Sequence, residues 1–149
     1  MKLDEYNTNI RILPDICVLI YHTLSRLIEL GILDNFTIII PDTLEYIVQI
    51  LCEGRLNAGF KNEIKKLKEL ETERKIDIIN CNYEITNIKT KRELIAREDD
   101  IILEIAIITN SILFTSDNGL RDKASSVKQP VIYFPAKYQK NIKDISSNF

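Results

Sequence analysis

The chain has 149 residues, enough for one domain that buries about two thirds of the surface its unfolded form exposes. Apolar residues make up 45% and charged residues 28%, with four Gly and four Pro, which excludes a disordered chain. The formal charge of −2 excludes a global pull towards nucleic acid or membrane, so any such binding needs a local basic patch. Cys17, Cys52 and Cys81 are odd in number and form no C-x-x-C pair, which argues against a disulfide framework or a cysteine zinc site and makes a reducing cytoplasm the default. The start, Met1-Lys2-Leu3-Asp4-Glu5, has no apolar signal core, and no run approaches the ~18 apolar residues of a membrane span.

In chain order, residues 11–20 read as a buried strand that gives way at Pro14-Asp15 to a helix carrying Leu24, Leu27, Ile28 and Leu30 and stopping at Gly31. Residues 36–40 are a second apolar strand. Pro41-Asp42-Thr43 starts a helix whose packing face is Leu44, Ile47, Val48 and Leu51. Beyond Gly54 and Gly59, residues 62–74 form a charged helix with Ile64, Leu67 and Leu70 inward, and residues 76–79 a third strand. Residues 80–89 read as loop and 91–97 as a short helix. A second helix, apolar nearly all round, then opens at Asp99 or Asp100, followed by a turn at Asn110-Ser111, the strand 112–114 and Thr115-Ser116-Asp117. Residues 131–134 supply the last strand, and a polar tail runs from about 138. Strands alternating with helices predict one α/β domain over 1–149, a three-layer α/β/α sandwich on a parallel sheet of about five strands.

No G-x-G-x-x-G, P-loop, H-E-x-x-H or G-x-S-x-G is present, so nucleotide-binding and serine-hydrolase readings lose their support. His22, the only histidine, reads as a packing or surface residue.

The acids are more informative. Asp15 follows the first strand, Glu45 lies in the first turn or so after the second, Asp99 opens a helix and Asp117 ends the fourth strand, all on the carboxyl edge where α/β proteins bind ligands. Each has an ordinary alternative: Asp15 and Asp99 as helix caps, Asp100 sharing that role, Asp117-Asn118-Gly119 as a turn, Glu45 as a solvated side chain. Together they would repel one another unless a cation neutralised them, and an oxygen-only donor set points to Mg²⁺ or Mn²⁺. Such a metal suits phosphodiester hydrolysis.

Residues 14–20 (Pro-Asp-Ile-Cys-Val-Leu-Ile), Ile38-Ile39-Ile40-Pro41, and Asp99 placed before Ala106 and Thr115-Ser116-Asp117 resemble the PIN domain, a family of metal-dependent ribonucleases. The resemblance covers residues 11–134. Glu53-Gly54-Arg55, Gly59-Phe60 and the Leu-rich stretch 61–70 make it closest to archaeal PIN domains, attached to ATPases or free-standing. It implies a PIN-like fold, Asp15, Asp99 and Asp117 as metal ligands with Glu45 as the fourth catalytic acid, and Thr115 or Ser116 orienting a carboxylate, with Asp100 as a further supporting residue. It further implies endoribonuclease action on single-stranded RNA with Mg²⁺ or Mn²⁺, and admits a VapC-like toxin with an antitoxin-like protein or a second copy as partner. The rival reading is a PIN scaffold that has lost efficient catalysis and serves binding or assembly. A phosphoryl-transfer receiver is disfavoured because Asp15 stands alone after strand one. Two departures weigh on the nuclease: Ile16-Cys17 replaces the small hydroxyl residue expected after the first Asp, and Glu45 comes four residues after Pro41, with Asp42 as a substitute. Arg92 and Arg97 before Asp99, with Arg121 and Lys123 after Asp117, are candidates to guide an RNA backbone, although acids interleave with them.

Overall fold

A computed structural model describes residues 10–33, 35–85 and 88–139. The strands are β1 (Arg11–Pro14), β2 (Phe36–Pro41), β3 (Ile76–Cys81), β4 (Ile112–Thr115) and β5 (Val131–Tyr133). The helices are α1 (Ile16–Ile20), α2 (Thr23–Glu29), α3 (Asp42–Leu51), α4 (Arg55–Thr72), α5 (Lys91–Ile108), α6 (Asn118–Ser126) and α7 (Ala136–Gln139). All strand pairs are parallel, in the order β3-β2-β1-β4-β5. This is the three-layer α/β/α sandwich that the alternation of apolar runs predicts.

Successive residues of the inner strands, Ile12 and Leu13, Ile38 and Ile39, Leu113 and Phe114, are all buried. A strand with both faces buried has a helix layer on each side, which is why these runs are continuously apolar rather than alternating. Among the described residues, no helix is long and apolar enough to cross a membrane.

Strand order decides where a ligand can enter. From β1 the chain steps outward to β2 and β3, then returns to place β4 on the other flank of β1 and β5 beyond it. The crevice between the carboxyl ends of β1 and β4 is therefore the point where winding reverses, the usual ligand position in open parallel sheets.

Several local expectations shift. The predicted helix ending at Gly31 is two helices, broken at Tyr21-His22, with His22 in the left-handed region at φ 60°. The buried Glu63 stabilises the break: its Oε2 accepts from the Ser25 amide at 2.9 Å, and its Oε1 lies 3.1 Å from His22 Nδ1. The charged helix begins at Arg55 rather than at 62, so Gly59 lies inside it. A Cβ there would stand 2.8 Å from the Ile20 carbonyl oxygen, so glycine lets α4 approach α1. The expected helix 91–97 and the helix at Asp99 are one element, α5, capped by Thr90, whose hydroxyl accepts from the Glu93 amide. Asp99 and Asp100 are thus interior helix residues and cap nothing. The start of the expected polar tail is also ordered: α7 ends on Gln139, which is buried, and residues 140–149 lie outside the described residues.

Candidate functional site

Asp15 is the residue directly after β1, and its amide donates to the Phe114 carbonyl of β4 at 2.8 Å, which ties it to the crevice. Its side chain is 5% exposed. Oδ1 accepts from the Ile16 amide at 2.7 Å, while Oδ2 accepts from Thr115 Oγ1 at 3.0 Å and from the Cys17 thiol at 3.3 Å. Burial raises the carboxyl's pKa, these three donors oppose the rise, and the charge of Asp99 adds to it.

Thr115 ends β4 and serves two acids. Besides holding Asp15, its hydroxyl accepts from the Asp117 amide at 3.0 Å. Asp117 in turn N-caps α6, its Oδ1 accepting from the Leu120 amide at 3.1 Å. Ser116 is buried and its Oγ accepts from Gln139 Nε2 at 2.6 Å, so α7 closes one side of the crevice.

From α5 come Glu98 and Asp99, both partly buried. With Asp15, Cys17, Ser116 and Asp117 they line one cleft of about 340 Å³, walled on its apolar side by Ile16, Ile20 and Leu56. Burial raises the Glu98 pKa to about 7, and the charges of Asp15, Asp99 and Asp117 push in the same direction. The Asp99 pKa is likewise raised, first by burial and then by Asp117, against a lowering by Lys123. Burial also raises the Cys17 thiol far above its usual range, so it stays protonated and donates to Asp15. Asp15, Glu98 and Asp99, whose pKa values are all raised, share the cleft with Asp117, and burial and their mutual repulsion both favour the protonated forms.

The structure thus brings together Asp15, Asp99 and Asp117, adds Glu98, and does not add Glu45. Glu45 is exposed on α3 and lines a different cleft with Asp42, Phe60, Lys61 and Lys68. The periodicity of α3 explains this: Leu44, Ile47 and Val48 take the buried face, and Glu45 points ~100° from Leu44. Glu98 was legible by the same argument. Leu94, Ile101 and Ile105 are buried, and Glu98 falls on their stripe at i+4 from Leu94, a charge where an apolar residue is expected. Asp100 is exposed and pairs with Lys123 at 3.0 Å, outside the cleft lining. Arg92 and Arg97 are exposed on α5, while Arg121 lies 3.3 Å from Asp122 and sits over the Tyr133 ring at 4.4 Å. None of the four expected RNA-guiding cations lines the cleft.

The donors suit a hard divalent cation: the carboxylates and hydroxyls here are oxygen ligands, no imidazole is among the lining residues, and the one thiol is protonated. Among the described residues, however, no three His, Cys, Asp or Glu side chains converge closely enough to hold a single ion as they stand.

No protein-family model matches the chain, and neither does any curated protein sequence. Among solved structures, it is similar to a domain of a functionally unknown protein from Methanocaldococcus jannaschii. Identity is 28% over 85% of this chain and 92% of that one, with a TM-score of 0.69. It is also similar to a PilT N-terminus domain protein from the hyperthermophilic archaeon Sulfolobus solfataricus, at 12% identity over 93% and 92% of the two chains, with a TM-score of 0.45. Helices on both sides of an all-parallel five-stranded sheet, with acids just past β1 and β4, are what the sequence resemblance implies. The fold is thus the three-layer α/β/α sandwich that this resemblance implies.

Proposed function

We propose that this PIN-like domain is a divalent-metal-dependent nuclease that hydrolyses phosphodiester bonds of single-stranded RNA. The observation that carries the reading is the gathering of Asp15, Glu98, Asp99 and Asp117 in one cleft at the winding reversal between β1 and β4. Asp15, Asp99 and Asp117 would hold the cation, and Glu98 would supply the fourth oxygen donor that the resemblance assigns to Glu45. A Mg²⁺ or Mn²⁺ ion held there would supply polarisation of a phosphoryl oxygen and activation of a water. Thr115 keeps Asp15 in place, and the cap at α6 does the same for Asp117. The role of a VapC-like toxin with an antitoxin-like partner rests on the sequence resemblance alone.

A second reading, the catalytically weakened scaffold, is favoured by one observation: no three ligating side chains converge among the described residues. One experiment separates the two. Purified chain is incubated with single-stranded RNA in EDTA, Mg²⁺ or Mn²⁺, beside Asp117→Asn. Metal-dependent cleavage lost in the variant supports the nuclease; no cleavage with either metal leaves the scaffold.

A further inference from the structure

We propose that a groove beside the start of α3, between Tyr46 and Tyr83, is a stacking site for one base of a single-stranded nucleic acid. The groove measures about 280 Å³ and is lined by Asp42, Thr43, Tyr46, Tyr83, Ile85 and Ile88. It is separate from the acid cleft, with which it shares no lining residue.

Tyr83 is immobilised at three points. Its amide donates to Asp42 Oδ1 at 3.2 Å, its carbonyl accepts from Thr43 Oγ1 at 2.9 Å, and its hydroxyl donates to Glu104 of α5. A ring tethered through backbone and hydroxyl is oriented before any ligand arrives, so stacking on it loses little rotamer freedom. Tyr46 stands off the buried stripe of α3 and is 49% exposed. The two rings do not stack on each other: among the described residues the ring–ring contact is Phe134 with Tyr138. Two aromatic side chains therefore line one groove without stacking on each other, which leaves their faces to a ligand ring.

The occupant is a base rather than a phosphate, because Asp42 lines the groove and repels anions while a π-face has no such penalty. Arg97 acts electrostatically on the Tyr83 hydroxyl, and its neighbour Glu98 lines the acid cleft. The Tyr83 hydroxyl bonds Glu104 while the cleft takes Glu98 and Asp99, so groove and cleft both border α5. The proposal rests on the reading that the chain acts on single-stranded RNA, but its test needs no cleavage.

The full chain is titrated in EDTA with a labelled single-stranded oligoadenylate and with its abasic counterpart, by fluorescence anisotropy. Tyr46→Ala and Tyr83→Leu each weaken oligoadenylate binding by about tenfold. Removing the bases weakens binding to the parent similarly and to the variants no further, while Tyr83→Phe, which keeps the ring and both backbone tethers and loses only the hydroxyl tether, weakens binding far less than Tyr83→Leu does. Tyr46 is exposed, so its variant folds even if Tyr83→Leu does not; circular dichroism checks both. Folded ring variants that bind like the parent, losses that simply add, or no binding by the parent would each overturn the site. A chain that shows the base-dependent losses yet cleaves nothing with metal keeps the stacking site and loses the nuclease.

Discussion

Thr115 Oγ1 donates to Asp15 Oδ2 at 3.0 Å and accepts the Asp117 amide at 3.0 Å, so one hydroxyl joins two acids 102 positions apart in the chain. Thr115→Val keeps the shape and removes both bonds, which leaves a buried carboxylate short of a donor. It should cost about 2 kcal/mol in urea unfolding, whereas Thr115→Ser should recover most of the loss.

Asp15 and Glu98 should respond oppositely to amidation. Every partner of Asp15 is a donor, so the amide nitrogen of Asp15→Asn meets a donor on whichever side it turns. That variant should lose metal-dependent cleavage and gain little or no stability. Glu98 has no hydrogen-bond or ion-pair partner among the described residues and three acids acting on it, so Glu98→Gln should raise Tm in EDTA. Paired melting curves decide; a lower Tm for Glu98→Gln would show that its charge is not repelled there.

The same carboxyl should make stability depend on pH. A group with a folded pKa of about 7 and an unfolded value near that of ordinary glutamate binds its proton more tightly in the folded state. Metal-free protein should therefore be favoured at low pH and lose stability as pH rises through that window, up to about pH 7. The loss should be about 1 kcal/mol, below the full value of the shift because the side chain is partly solvated. Comparison with Glu98→Gln between pH 5 and pH 8, on the order of one titration window, isolates it.

Metal should act on the cleft and not on the Glu45 side. Tm measured against Mn²⁺ concentration should rise logarithmically once the ion exceeds its dissociation constant. Glu98→Gln should move that rise to higher concentration, and Glu45→Gln should leave it unchanged, because Glu45 lines another cleft. The reverse pattern would return the fourth ligand to α3.

Gly59→Ala tests the packing beneath the site. Its Cβ would press on the Ile20 carbonyl at 2.8 Å, and α1, which carries Ile16 and Ile20 of the cleft wall, would have to move. A loss of about 1–3 kcal/mol is expected, although alanine is ordinarily the better helix former.

The sequence by itself determined the layers. Largely apolar runs at 12–14, 36–41 and 112–114, separated by helix-period stretches, leave a parallel sheet covered on both faces as the arrangement that buries them. The proline and acid at 14–15 and the Thr115-Ser116-Asp117 run placed Asp15 and Asp117 at strand ends, because local chemistry sets where a strand stops. Tertiary structure decided which acids share the cleft. Asp99 looked like a cap until Thr90 was seen to cap one continuous helix, and Glu98 joined the cleft through the rotational phase of α5 against the sheet. Glu45 left it through the phase of α3. A helix side chain swings ~100° per residue, so the membership of such a site depends on how each helix is docked, which spacing along the chain does not specify.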